Sequence, residues 1–179
     1  MKLPVKLPRR ERPPIEVPAG EKVLAWTATV TGGVVGGTRD ALYLAAAASP
    51  SSSVESVETL RIPWERVEAA DWDKDTSALR VSEVGTWGEP RPEHLLTIEE
   101  PGLLLELVRE RVTASVVLQR HVPLEGKRGV RVIARRAPRG DQPMHWVYEY
   151  DEGIDPEAPD VRAAAEAALR AARDEVGSA

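Results

Sequence analysis

Apolar positions alternate most regularly between residues 38 and 83, and the rest of the chain is arranged around that stretch. Leu42, Leu44, Leu60, Ile62, Val67, Leu79 and Val81 recur at a two-residue spacing, which sends alternate side chains to one face of a sheet. TRDALYL, LRIPWERV and ALRV therefore predict short antiparallel strands separated by turn residues. Proline cannot donate to a strand ladder, so Pro63 marks a bend between two strand pieces, with Trp64 expected to cover the open corner. EAADWDKDTSALRV predicts a hairpin. Its Asp71, Asp73 and Asp75 alternate like the first ligands of a calcium loop, but Thr76 and Ser82 stand where such a loop needs glycine and a bidentate glutamate. An aspartate-rich turn that bonds its own backbone is the reading that remains.

Upstream, EKVLAWTATV predicts a first strand with two fairly apolar faces. TGGVVGGT follows and suits a tight turn or a bulged strand, since glycine tolerates positive backbone angles. Its spacing matches neither nucleotide-binding glycine motif. Residues 1–20 hold five basic residues, two acidic ones and five prolines, the composition of a flexible or extended arm. ASPSSSVES reads as a polar loop.

Downstream, HLLTIEE predicts a strand, and PGLLLELVRERV changes period so that Leu104, Leu105, Val108 and Val112 share one helical face. SVVLQRHV, GVRVIARR and MHWVYEY predict three more strands. A last helix over Pro159–Val176 carries a narrow apolar stripe of Val161, Ala165, Ala168, Leu169, Ala172 and Val176.

Composition narrows the picture. The 179 residues carry a formal net charge of −5, which argues against nucleic-acid binding by the whole surface. Without cysteine there is no disulfide or thiolate chemistry, and any zinc site would have to be built from three histidines and carboxylates, which argues against a structural zinc. Phenylalanine is absent, so Trp26, Trp64, Trp72, Trp87 and Trp146 are expected to supply most of the aromatic core. The basic N-terminus lacks the apolar run of a secretory signal, and no stretch approaches the ~20 apolar residues of a spanning helix, so a soluble cytoplasmic protein is expected. The excess of arginine over lysine and the abundance of alanine fit a high-GC bacterial genome.

The wording TRDALYL, LRIPWERVEAADWD and ALRV resembles bacterial pleckstrin-homology-like and GRAM-like domains over about residues 20–115. The resemblance implies a bent, partly open antiparallel barrel capped by a helix and used mainly to bind proteins or lipid headgroups. In lipid-binding members the headgroup sits on lysines and arginines of the first hairpin. Here residues 26–38 contain neither, and only Lys22 and Arg39 flank them, which argues against phosphoinositide binding. The expected fold is α+β and mainly β: an arm over 1–20, a capped barrel over 21–115, then a three-stranded meander and C-terminal helix over 116–179.

Charge is segregated in that last part. Residues 121–140 carry six basic residues against Glu125, whereas residues 141–179 carry ten acidic and three basic ones. Alternation places Arg131 and Arg135 on one strand face beside Ile133, with Glu149 on the next strand as a possible ion-pair partner. Lys127, Arg128, Arg131, Arg135 and Arg136 are thus the candidate partner- or anion-binding residues. No catalytic or metal-ligating set is expected: His94, His121 and His145 are scattered, and no Gly-x-Ser-x-Gly elbow occurs. The function expected is a non-enzymatic cytoplasmic module, without cofactor, that binds a protein partner. The alternative is an anionic ligand, a lipid headgroup or nucleic acid, on the basic hairpin 127–139.

Overall fold

Strand pairing follows the chain hairpin by hairpin, as a sequence of short alternating runs and tight turns dictates. The structure, a computed structural model, describes residues 13–47, 59–86 and 89–177. The first sheet joins β1 (Ala25–Ala28), β2 (Val34–Gly37), β3 (Ala41–Ala45) and β4 (Thr59–Pro63) in that order. A 3-10 turn, Trp64–Arg66, leads to the second sheet, formed by β5 (Val67–Asp73), β6 (Ala78–Glu83) and β7 (Glu93–Thr97). Helix α1 (Leu104–Ser115) runs directly into β8 (Val116–Glu125), which with β9 (Arg128–Arg135) and β10 (His145–Tyr150) makes a third sheet in the order β10-β9-β8. Helix α2 (Pro159–Val176) closes the described chain. All pairings are antiparallel. The fold is α+β, mainly β, and the first two sheets do not close into a barrel.

One apolar core fills the space between the first two sheets and α1. Leu42, Ile62, Val67, Leu79 and Val81 lie in it, together with Leu104 and Val108 of the helix. Leu44 packs against it, but Leu60 is 43% exposed at its margin. Trp64 is fully buried at the bend made by Pro63, and its indole Nε1 donates to the Thr38 carbonyl at 3.1 Å. The other described tryptophans depart from expectation. Trp72 and Trp146 are partly buried, and Trp26 packs on the outer face of the first sheet. Trp87 lies outside the described residues.

The doubled glycines also differ from the expected turn. Only the first pair turns the chain, with Gly32 at φ +83°, whereas Gly36 and Gly37 sit inside β2 and pair with both neighbouring strands. Packing explains them. A Cβ on Gly36 would lie 2.6 Å from Ile15 Cδ1 on one face, and a Cβ on Gly37 would lie 2.7 Å from Leu107 Cδ2 on the other. Gly37 lets the helix and Trp64 approach the strand, and Gly36 admits residues 13–20 on the opposite side. There Ile15 is buried with Ala41 and Tyr43. The earlier part of the arm, residues 1–12, lies outside the described residues, as does the whole serine-rich loop, residues 48–56.

Glu21 clamps this N-terminal segment. Its carboxylate accepts from Thr38 Oγ1 at 2.6 Å, from the Tyr43 hydroxyl at 2.9 Å and from Arg61 Nη2 at 3.0 Å. Burial alone would push the Glu21 carboxyl up, but these donors outweigh it and hold it below the ordinary glutamate value. Burial, reinforced by the same carboxylate, pushes the Tyr43 hydroxyl up to about 12.

Two expectations follow. Gly37→Ala should cost about 1–3 kcal/mol by overpacking, read as a lower denaturant midpoint at unchanged slope; a neutral result would mean that Leu107 yields freely. The lowered Glu21 value stabilises the fold above the unfolded-state pKa, and that contribution is lost as pH falls through the lower folded-state value. Acid titration of stability should therefore be shallower in Glu21→Gln than in the wild-type chain, and identical curves would refute the clamp.

Candidate functional site

Sequence alternation puts Arg131 and Arg135 on one face of β9, and the structure gives the two very different surroundings. Arg131 Nη1 donates to Glu149 Oε2 on β10 at 2.9 Å, with both side chains part-exposed. Arg135 is only 4% exposed. Its guanidinium donates to the Val67 carbonyl at 2.8 Å, to the Glu68 carbonyl at 3.0 Å and to Ser115 Oγ at 3.2 Å. It bolts the third sheet to the open edge of β5 and to the end of α1. Burial lowers its pKa from the usual arginine value, and Glu149 and Glu68 oppose that effect.

The other candidates divide between the two ends of β9. Lys127 lies in the β8–β9 turn, and Arg128 beside it pairs with Glu125 at 3.1 Å and donates to the Glu152 carbonyl. At the far end Arg136 gives its backbone N–H to the Ser115 carbonyl. Arg139 is held by Asp40 across the molecule. The structure therefore brings Lys127 together with Arg128, and Arg135 together with Arg136, but does not gather the five into one patch. Among the described residues, Lys127 and Arg136 make no ion pair.

Histidines and carboxylates are similarly engaged. His94 meets Glu83 at 2.8 Å and His121 meets Asp151 at 2.9 Å. The bond from His121, with another from the Gly129 amide, holds the Asp151 carboxyl below its ordinary value. Among the described residues, no group of three or more potential ligands is arranged to hold a metal, and no helix is long and apolar enough to cross a membrane.

A different feature stands out: a cleft between β10 and the second sheet with the 3-10 turn that precedes it, bordered also by Pro156, Glu157 and Arg162. It comprises a cavity of about 470 Å³ lined by Arg66, Val84, Gly85, Trp146 and Tyr148, and an adjoining one of about 270 Å³ lined by Glu68, Thr86, Arg91 and Glu149. Gly85, Val147, Tyr148 and Tyr150 border both. Arg66 is fixed on the far wall by its bond to the Val84 carbonyl, and Arg91 pairs with Glu68 at 3.2 Å. Burial pushes the Glu68 carboxyl up; Arg91 opposes the shift and Glu149 adds to it.

Ladder geometry shows where β10 points its backbone. The Asp151 amide donates to the Gly129 carbonyl at 3.0 Å, and the register sets Tyr150 opposite Val130. Antiparallel pairs alternate between bonded and non-bonded positions. Residues 145, 147 and 149 therefore face β9, and Trp146 and Tyr148 turn their N–H and C=O groups outward along the cleft. Neither makes a backbone hydrogen bond on that side among the described residues. Sequence reasoning missed this site because it depends on strand order; the usable signal was aromatic residues at period two in the last strand of a meander.

Compared with known proteins, the chain matches no family model and no curated protein.

The two arginines of β9 should respond unequally to truncation. Arg135→Ala strands the buried Val67 carbonyl and the part-buried Glu68 carbonyl and should cost about 2–4 kcal/mol, whereas Arg131→Ala removes a part-exposed pair and should cost about 1 kcal/mol or less. Urea unfolding of both variants measures the contrast, and equal losses would contradict the placement of Arg135.

Proposed function

We propose that the chain is a non-enzymatic interaction module that binds a protein partner, with the cleft beside β10 as the contact. The observation that carries this reading is the outward backbone of Trp146 and Tyr148, in a strand of unbroken register, facing a preformed cleft. The cleft falls within the volume range of ordinary binding sites. A protein partner fits it better than a polyanion, because the cleft is lined by five carboxylates (Glu65, Glu68, Glu89, Glu149, Glu157) and three guanidiniums.

We also propose that residues 21–115 are a pleckstrin-homology-like body. A four-stranded and a three-stranded meander, joined at a corner and followed by an apolar-faced helix, support that reading. The two sheets approach at a second corner, where the Val30 amide donates to the Thr97 carbonyl. On this view the third sheet and α2 are an addition that builds the binding cleft against the body.

The second reading is an anionic ligand, lipid headgroup or nucleic acid, on the basic hairpin. It rests on Lys127 and Arg136, whose charges have no partner among the described residues. Ion pairs to Glu149, Glu125 and Asp40 neutralise much of the remaining positive charge.

Gly85 separates the two readings. A Cβ there meets nothing nearer than Arg91 at 3.7 Å, so a side chain is accommodated and grows into the cleft. Co-purification of the tagged full chain at low and moderate salt should recover a stoichiometric protein that survives moderate salt and is lost from Gly85→Trp. Recovery only of nucleic acid or lipid, released by salt and by Lys127→Glu with Arg136→Glu, would overturn the reading in favour of the second.

A further inference from the structure

The two edges of the third sheet are built differently. β8 carries Pro123 and two register shifts, at residues 116–118 and 123–125. Prolines and bulges are the devices by which proteins blunt an exposed edge against pairing with another chain. β10 has none of them. Its six residues hold an unbroken register with β9, and they include neither proline nor lysine. The edge that is left fit for pairing is the one that lies in a cleft.

From this difference, and resting on the proposal that the cleft binds a protein, we propose that β10 takes an extended, lysine- or arginine-bearing peptide segment of the partner as a fourth strand. Neighbouring strands sit about 4.8 Å apart, so the added strand would lie between β10 and the wall formed by residues 84–86. Its backbone would exchange hydrogen bonds with the outward N–H and C=O groups of Trp146 and Tyr148, and affinity from main-chain bonds is the hallmark of strand addition.

Charge decides the side chains of the occupant. Glu68 is paired with Arg91, Glu149 with Arg131 and Glu157 with Arg162. Among the described residues, Glu65, Glu89 and Arg66 have no ion pair, which leaves carboxylates in excess; Arg66 is bonded to the Val84 carbonyl, whereas Glu65 Oε2 is buried without a hydrogen-bond partner. The terminal torsion of glutamate is soft, so the Glu65 carboxylate can turn to receive a cationic donor. Such a donor satisfies the stranded oxygen and offsets the excess of carboxylates. An acidic segment in the same place would add repulsion, and alternate residues of an extended peptide give the spacing at which side chains reach one face.

The test uses the full chain and a blocked octapeptide of alternating lysine and valine, followed by amide hydrogen exchange. With the peptide saturating, the Trp146 and Tyr148 amides should exchange at least about tenfold more slowly, while Val147 and Glu149, already bonded to β9, should not change. Replacing the peptide lysines by glutamate should weaken binding about tenfold or more, and Glu65→Gln with Glu89→Gln should weaken binding of the lysine peptide about fivefold. Methylating alternate peptide nitrogens should abolish it. Peptide binding that leaves the Trp146 and Tyr148 amides unprotected, or no binding at roughly 1 mM peptide, would overturn strand addition. If that happens while Gly85→Trp still loses the co-purifying protein, the cleft remains the contact; if Gly85→Trp loses nothing, both readings fall.

Discussion

One buried guanidinium, that of Arg135, sets how the third sheet meets β5 and the end of α1. Consecutive carbonyls in a regular strand point to opposite sides, yet Arg135 reaches those of both Val67 and Glu68. The register shift between Val67 and Ala69 resolves this, because a bulge turns two neighbouring carbonyls toward one side. The planar fork of arginine then suits the place as a lysine ammonium would not. Fixing Arg135 fixes β9, β9 sets β10, and the width of the cleft follows.

Buried arginine is costly to desolvate, and the molecule keeps it for position. Its bonds are to carbonyls and a hydroxyl, with Glu68 and Glu149 close enough to lend charge without pairing with it directly. The other face of the same sheet is dry: Val132, Leu118 and Trp146 pack with Ala168 and Ala172 of α2. Small residues on the helix let it lie close, so one sheet is glued by apolar contact on one side and aligned by polar contact on the other.

Much of the secondary structure was legible in the sequence. Period two marked the strands, and the Pro159–Val176 helix follows the alanine stripe to its ends. What alternation cannot tell is whether a face meets water or another sheet, so Arg131 and Arg135 looked equivalent and are not. Gly36 and Gly37 misled for a related reason. A glycine pair suits a turn by its local conformational freedom, whereas here Ile15 and Leu107, distant in sequence, require the missing side chains. The cleft was invisible because its lining comes from residues 65–68, 84–86 and 89–91 on one side and from 145–150 with Pro156, Glu157 and Arg162 on the other, joined by no motif.

The order of the strands bears on how the chain assembles. Within each sheet every pairing joins strands that are consecutive in sequence, so the loops to be closed are short and each meander is quick to form. The arginine joint spans 68 residues and the Asp40–Arg139 contact spans 99, and both wait until the meanders exist. The third sheet is thus joined to the body by contacts far apart in sequence, and since β10 forms one side of the cleft, the cleft exists only while those long-range contacts hold.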